Sequence, residues 1–167
     1  MPSPSFAIRP AAPADCTTLF RLISDLAEYE KLTHLVEATP QKLEQALFGA
    51  QPQAEAVLVE AHTPDGTRPV GFALFFHNFS TFLAKPGLYL EDLFVEPAWR
   101  GHGLGKALLR HLAELAVERG CGRFEWSVLD WNTPSIDFYK AMGADVMPDW
   151  RICRVTGDAL ARLGTPD

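Results

Sequence analysis

A chain of 167 residues that is 47% hydrophobic and 22% charged has the size and composition of one globular domain with a single core. Its formal charge of −6, with no basic block, argues against a nucleic-acid partner, and no apolar run reaches the roughly 18 residues of a membrane span. The first residues lack the basic and apolar regions of a secretion signal. Three cysteines without a C-x-x-C pair complete the pattern of a cytoplasmic protein with reduced thiols.

The first half of the chain predicts a strand, two helices and a β-hairpin. Leu19, Leu22, Ile23 and Leu26 recur with the spacing of one helix face. Thr39 and Pro40 have the pattern of an N-cap followed by the first helical residue. The predicted elements are, in order, a strand over 6–9, a helix opened near residue 15, a helix from residue 40, and strands over 55–62 and 70–79 joined by a turn at 65–66.

The second half predicts a central strand, a long helix and a shorter strand, helix and strand. Leucines at 104, 108, 112 and 115 share one face of the long helix, and glycines at 120 and 122 end it. The predicted ranges are a strand over 88–95, a helix over 104–119, a strand over 123–129, a helix from 133 to about 142 and a strand over 151–155. The resulting order, β-α-α-β-β-β-α-β-α-β, predicts an α/β domain whose mixed sheet carries helices on its faces.

The segment from Leu88 to Lys106 joins an apolar strand to a helix through a turn rich in glycine. Such a turn presents backbone N–H groups to one space, and the helix dipole favours negative charge there, so the segment predicts a site for a phosphate-bearing ligand. A nucleotide-triphosphate loop would need one more residue between Gly101 and Gly105 and a hydroxyl where Ala107 stands. A dinucleotide-binding turn would need the spacing G-x-G-x-x-G, which is absent.

The glycine turn matches the pattern [QR]-x-x-G-x-[GA] through Arg100, Gly103 and Gly105, behind a strand that ends at Val95. In this respect the chain resembles the GCN5-related N-acetyltransferase (GNAT) superfamily. Four further segments are similar to the spermidine/spermine and thialysine branch of that superfamily: FAIRPAAPADC, LAEYE, LYLEDLFV and DWNTPSIDFYKAMGA. The resemblance covers about residues 6–155 and implies a mostly antiparallel mixed sheet with helices on both faces.

The resemblance implies that acetyl-CoA is the acetyl donor and assigns three stretches of the chain to it. The glycine turn would hold the pyrophosphate, the end of the central strand would pair with the pantetheine arm, and the start of the helix near residue 133 would approach that arm. The residues so assigned are Arg100, Gly101, His102, Gly103, Leu104, Gly105 and Lys106; Leu93, Phe94 and Val95; and Asn132, Thr133, Pro134 and Ser135. Two alternatives to ligand binding remain open: Arg100 would only fix the turn, and Asn132 would only cap the helix.

Two residues carry the catalytic roles that the resemblance implies. Tyr139 would stabilise the leaving thiolate, and Glu91 would attract the ammonium of the acceptor and take its proton. Strand alternation places Glu91 and Asp92 on opposite faces of the sheet, so we expect Asp92 to be structural. Tyr139 as a core residue and Glu91 as an ordinary ion-pair partner remain the alternatives. The acceptor residues implied by the resemblance are Tyr29, Glu30, Glu91, Glu125, Trp126 and Ser127.

Together these features predict a single domain over residues 1–167 that moves an acetyl group from acetyl-CoA to a primary amine by direct attack. The segment 76–87 departs from the polyamine enzymes, so the acceptor stays open among diamines, polyamines and thialysine- or lysine-like amines. The alternative hypotheses for the function are a protein N-acetyltransferase and a non-catalytic domain that senses acyl-CoA. The scattered histidines predict no metal site, and the resemblance implies a homodimer.

Overall fold

The computed structural model of the protein describes residues 5–166, which contain five strands and five helices. The strands are β1 (Phe6–Pro10), β2 (Glu55–Thr63), β3 (Gly66–Ser80), β4 (Lys85–Val95) and β5 (Arg123–Trp126). The helices are α1 (Cys16–Tyr29), α2 (Pro40–Phe48), α3 (Leu104–Glu118), α4 (Thr133–Ala141) and α5 (Gly157–Leu163). The chain divides into two compact units, one ending at Ser127 and the other beginning at Val128. No helix in the described range is long and apolar enough to cross a membrane.

The first unit is built on one sheet in the order β1-β2-β3-β4-β5. The pairs from β1 to β4 are antiparallel, and β5 runs parallel to β4. This arrangement confirms the predicted mixed, mostly antiparallel sheet. The parallel pair is possible because α3 lies between β4 and β5 in the chain and returns it to the same end of the sheet.

Helices α1 and α2 cover one face of the sheet. The predicted apolar face of α1 is buried, since Leu19 and Leu22 are fully inaccessible, and it packs with Leu58, Phe72 and Phe94 of the sheet. Helix α2 begins as the sequence predicts, because the Thr39 side chain accepts a hydrogen bond from the backbone N–H of Lys42 and Pro40 follows the cap.

Helix α3 covers the opposite face and contacts β1, β3, β4 and β5. Its leucines at 104, 108 and 112 are almost completely buried. Val57 and Val59 of β2 are also buried and alternate with the residues that face α1, so they point toward α3. The chain thus has helices on both faces of the sheet, as the sequence predicts.

A buried carboxylate anchors the chain where β4 ends and the glycine turn approaches. Glu96 is 8% exposed, and its two oxygens accept hydrogen bonds of 2.6 Å from Arg21 of α1 and Arg68 of β3. Each bond joins a cation to a carboxylate, which makes it stronger than a neutral hydrogen bond. Glu96 therefore ties β4 to α1 and to the β2–β3 hairpin, immediately before the turn.

The predicted strand over 151–155 is wrong. These residues have no regular structure, and α5 follows them instead. Ile152 and Val155, which suggested a strand, are 69% and 45% exposed. A strand needs a neighbour to take up its backbone groups, and within the described range β5 pairs with β4 alone. Up to α4, the predicted order of elements is confirmed.

Candidate active site

The turn before α3 is shaped by two glycines with left-handed backbone conformations. Gly101 has a φ of 79° and Gly103 a φ of 86°, values that L side chains rarely adopt. Apart from the glycine itself and its chain neighbours, no described atom lies within 4 Å of the position that either Cβ would take. Gly103 is the N-cap of α3 and has no side chain to accept from the N–H groups of Leu104, Gly105 and Lys106. The turn therefore directs N–H donors and the positive end of a helix toward open space.

The side chains of this turn contribute unequally. Those of His102 and Lys106 are exposed. Leu104, by contrast, is 1% exposed and belongs to the core under α3, so only its backbone N–H can serve a ligand. Burying this leucine fixes the first turn of α3 on the sheet and so holds the donor groups in place.

Strand β4 loses its neighbour on one edge halfway along its length. Strand β5 accompanies it from Gly87 to Leu90 and ends at Trp126. Apart from Glu91, the remaining residues of β4, up to Val95, still pair with β3 on the other edge. The two strands therefore part beside the glycine turn, as the resemblance implies for a site that holds a pantetheine arm.

The alternation of antiparallel hydrogen bonds decides which residues face this open edge. The N–H of Glu96 donates to the carbonyl of Val70 on β3, at 2.8 Å. Neighbouring residues alternate, so Phe94 also directs its backbone groups to β3, whereas Leu93 and Val95 direct theirs to the open edge. Of the three candidate backbone positions, Leu93 and Val95 therefore face the open edge, where the Val95 carbonyl accepts a hydrogen bond from Arg100.

A β-bulge interrupts β4 at Glu91. Leu74 of β3 pairs with Asp92, but its neighbour Phe75 pairs with Leu90, so Glu91 is the extra residue. The strict alternation that predicts Glu91 and Asp92 on opposite faces of the sheet therefore does not hold at this position. The Glu91 side chain is exposed, and its negative charge helps to raise the pKa of Asp92.

Asp92 is the most perturbed carboxyl group of this region. Burial, reinforced by the charges of Glu91 and Glu30, raises its pKa from 3.8 to about 6. Burial also raises the pKa of Glu30, which follows the last residue of α1. Three carboxyl groups from two elements thus lie close enough to interact, and each of them gains when a cation approaches. We expected a structural role for Asp92, and the sequence holds no sign of this environment.

The raised pKa of Asp92 predicts a stability that depends on pH. The unfolded chain releases this proton near pH 3.8 and the folded chain near 6, so the folded state loses stability as pH rises through that window. We expect Asp92→Asn to raise the free energy of unfolding at pH 7.5 by about 1–3 kcal/mol and to have little effect at pH 4. Urea unfolding at both pH values measures this difference, with the exposed Asp149→Asn as control. An effect that is equal at both pH values would contradict the prediction.

Arg100 lies between the open edge of β4 and the end of α1. Its Nε donates to the carbonyl of Val95 at 2.9 Å. Its guanidinium carbon lies 4.7 Å from the ring centre of Tyr29 and 5.4 Å from that of Phe94. The structure thus joins three of the predicted site residues, Arg100, Tyr29 and Phe94, through two cation–π contacts.

The residues predicted on β5 are held mainly by their neighbours. Glu125 forms an ion pair with Arg123 at 2.7 Å and accepts a hydrogen bond from Asn78 at 3.3 Å. The Ser127 hydroxyl is 3.0 Å from that of Tyr89. Trp126 packs against Phe124, with ring centres 4.9 Å apart. These contacts give each of the three residues a structural function. Their part in binding the acceptor amine stays a prediction.

The second unit carries the remaining predicted residues. Asn132 is 6% exposed and its side chain accepts from the backbone N–H of Ser135, so it caps α4. Thr133 and Pro134 form the first turn of that helix. Tyr139 lies within α4, and its ring centre is 5.5 Å from that of Phe138.

A sequence model of the "Acetyltransferase (GNAT) family" matches residues 19–144, three quarters of the chain. The chain belongs to this family. Among known proteins, an L-ornithine N5-acetyltransferase of Arabidopsis thaliana is 39% identical, over 93% of this chain and 86% of the relative. A thialysine N-epsilon-acetyltransferase of Sus scrofa is 36% identical, over 95% and 97% of the two chains. These matches confirm the resemblance to the thialysine branch.

Solved structures show the same GNAT fold. An integron cassette protein from the mobile metagenome of V. cholerae has a TM-score of 0.80 and 26% identity, and the match covers 97% of this chain and 99% of that one. An aminoglycoside acetyltransferase from a soil metagenome has a TM-score of 0.73 at 17% identity, over 90% and 97% of the chains. The family match thus makes the protein an acetyltransferase, and the solved structures share its fold.

Within the first unit of this acetyltransferase, the structure brings together four predicted residues, Tyr29, Glu30, Glu91 and Arg100. Sequence reasoning missed the part of Asp92 in this group, because the bulge and the burial that perturb it arise only in the folded sheet. The glycine turn itself could be predicted from the sequence, since its two left-handed positions require glycine.

Proposed function

We propose that this acetyltransferase moves the acetyl group of acetyl-CoA to a primary amine of a small diamine, polyamine, or thialysine- or lysine-like acceptor. The observation that carries the choice of acceptor is the group of three carboxyl groups, Glu30, Glu91 and Asp92, beside the open edge of β4. Such a concentration of negative charge attracts an ammonium group, and a second ammonium on the same molecule adds to the attraction.

The donor side of the proposal rests on the geometry of the glycine turn. A pyrophosphate requires several N–H donors and close approach of the backbone, and the stretch from Gly101 to Lys106 offers both at a helix N-terminus. The backbone groups of Leu93 and the N–H of Val95 would pair with the amides of the pantetheine arm, because the Val95 carbonyl already accepts a hydrogen bond from Arg100. We assign Asn132, Thr133, Pro134 and Ser135 to the same arm on the resemblance.

Acetyl-CoA would supply a thioester whose carbonyl accepts the amine directly. Glu91, and Asp92 beside it, would hold the ammonium and take one proton from it, which leaves the neutral amine whose lone pair attacks the thioester carbon. This proton transfer is needed because an alkylamine of pKa about 10 is only about one part in a thousand neutral at pH 7. Tyr139 would donate a hydrogen bond to the departing thiolate. Tyr29, Glu30, Glu125, Trp126 and Ser127 would surround the acceptor.

The wider assignments follow from the same comparison. The relatives act on ornithine and on thialysine by name, both of which carry an amine on a flexible chain. We propose that the whole chain, with its core over about residues 6–155, works as one acetyltransferase domain, as a cytoplasmic homodimer without a metal. The net charge of −6 favours cationic small molecules over nucleic acid or an anionic membrane surface.

The decisive experiment is an assay of thiol release from acetyl-CoA over a panel of amines. We expect release to depend on the amine, and we expect 1,3-diaminopropane, spermidine, ornithine or thialysine to have a lower KM than n-butylamine, which carries a single charge. A preference for peptide N-termini would favour a protein N-acetyltransferase. Tight binding of acetyl-CoA without amine-dependent release would favour a sensor domain and overturn the proposal.

A further inference from the structure

We propose that Arg100 is a positioning residue that couples the glycine turn to the end of α1, where Tyr29 and Glu30 lie. The inference rests on the proposed function, in which the turn serves the donor and the end of α1 serves the acceptor. Its basis is the set of contacts that Arg100 makes with Val95, Tyr29 and Phe94.

The contacts of Arg100 hold its planar guanidinium in a single orientation. The Nε hydrogen bond to Val95 fixes the head group at the open edge of β4, and the buried Phe94 and the half-exposed Tyr29 present their ring faces to it. A guanidinium can donate in its plane and stack through its faces at the same time, whereas a lysine ammonium is a strongly hydrated point charge.

The end of α1 depends on such a support because its own closure is strained. Lys31 has a φ of 61°, in the left-handed region, and its N–H and that of Leu32 bind the carbonyls of Glu28 and Ala27. This is a helix-ending loop in which glycine is the usual residue. Holding Tyr29, the last residue of the helix, stabilises this closure and thereby the position of the Glu30 carboxyl group.

The coupling matters because Arg100 directly precedes Gly101. The side chain of Arg100 then fixes the start of the glycine turn relative to Tyr29 and Glu30 at the end of α1. In the described part of the chain, the Nη groups of Arg100 have no hydrogen-bond partner, so direct binding of a phosphate is the competing role. Charge alone suffices for that role, whereas positioning requires the planar group.

Arg100→Lys separates the two roles because it keeps the charge and removes the plane. We expect the KM for the amine to rise about three- to tenfold, while the Kd for acetyl-CoA stays within about twofold. Steady-state kinetics and calorimetry measure the two quantities. Arg110→Lys on the exposed side of α3 is the matched control, with no change expected in either. An amine KM that Arg100→Lys leaves unchanged, whether or not the Kd for acetyl-CoA changes, would overturn the inference.

Partner variants test whether Tyr29 is the point of contact. In a Tyr29→Leu background, Arg100→Lys should have no further effect on the amine KM, whereas in a Tyr29→Phe background, which keeps the ring, it should retain its full effect. Independent effects that multiply in both backgrounds would contradict the coupling.

A readout without turnover separates this inference from the proposed function. We expect hydrogen exchange at the amides of Lys31 and Leu32 to be faster in Arg100→Lys than in the wild type or in Arg110→Lys. Unchanged exchange would overturn the coupling even in an active enzyme. Faster exchange in Arg100→Lys, together with a wild type that releases no thiol with any amine, would sustain the coupling and reject the proposed function.

Discussion

Gly103→Ala is expected to weaken the binding of acetyl-CoA by at least about tenfold, the loss that follows when one well-aligned hydrogen bond to a charged group is removed. Gly103 has a φ of 86° and caps α3. A methyl group at that φ costs of order 1 kcal/mol, and the backbone relieves the strain by rotating away from the left-handed region. The N–H groups that follow then no longer point to a common space. Calorimetry with acetyl-CoA measures the loss of affinity.

The other end of the same helix offers a matched control. Gly120 has a φ of 68°, and, as at Gly103, a Cβ there would meet no described atom within 4 Å outside the glycine and its chain neighbours. Gly120→Ala therefore has a similar cost in backbone strain but leaves the glycine turn before α3 intact. We expect both variants to lose about 1 kcal/mol in urea unfolding, with weaker acetyl-CoA binding in Gly103→Ala alone. Equal affinities in the two variants would show that the turn does not hold the ligand.

Tyr139→Phe is expected to lower kcat by more than about tenfold and to leave the Kd for acetyl-CoA nearly unchanged. The substitution removes only the hydroxyl group, so the ring contact with Phe138 and the helix α4 are retained. Without this hydrogen-bond donor, the negative charge that develops on the departing thiolate is not stabilised in the transition state. The bound thioester is neutral, so its binding is not weakened. The effect therefore falls on turnover and not on binding.

Tyr89→Phe provides the comparison for the loss of a phenol. Its hydroxyl is 3.0 Å from that of Ser127, on the sheet of the first unit. We expect kcat of Tyr89→Phe to stay within about threefold of the wild type. Wild-type kcat in Tyr139→Phe, or an equal decrease in both variants, would remove Tyr139 from the proposed chemistry.

The sequence predicted those features that depend on short stretches of chain. The apolar spacing of α1 and α3 determines which face of each helix is buried, since a helix repeats every 3.6 residues whatever its partner. Gly101 and Gly103 mark the left-handed positions of the turn because other residues avoid that conformation. Thr39 and Pro40 mark the start of α2 through a hydrogen bond that reaches only three residues along the chain. The order of elements up to α4 followed from such signals.

The candidate site followed from the sequence only in part. Its glycine turn could be read directly, and the family resemblance supplied Glu91, Tyr29 and Glu30. Neither could supply the raised pKa of Asp92, because burial and the charges of two other carboxyl groups act on it only in the folded chain. The strand predicted over 151–155 failed for a related reason, since its residues were apolar enough but no described strand offers them an edge.

By itself, the sequence of this protein determined the buried faces of its helices, the hairpin, and the glycine turn that opens α3. Only the tertiary structure decided that β4 bulges at Glu91, that β5 leaves its edge open after Leu90, and that Arg100 stacks on Tyr29 from α1. The physical reason is the range of the interactions. Backbone conformation and periodicity act over a few residues, whereas strand register, burial and cation–π contacts join residues that are distant in the chain, such as Arg100 and Tyr29.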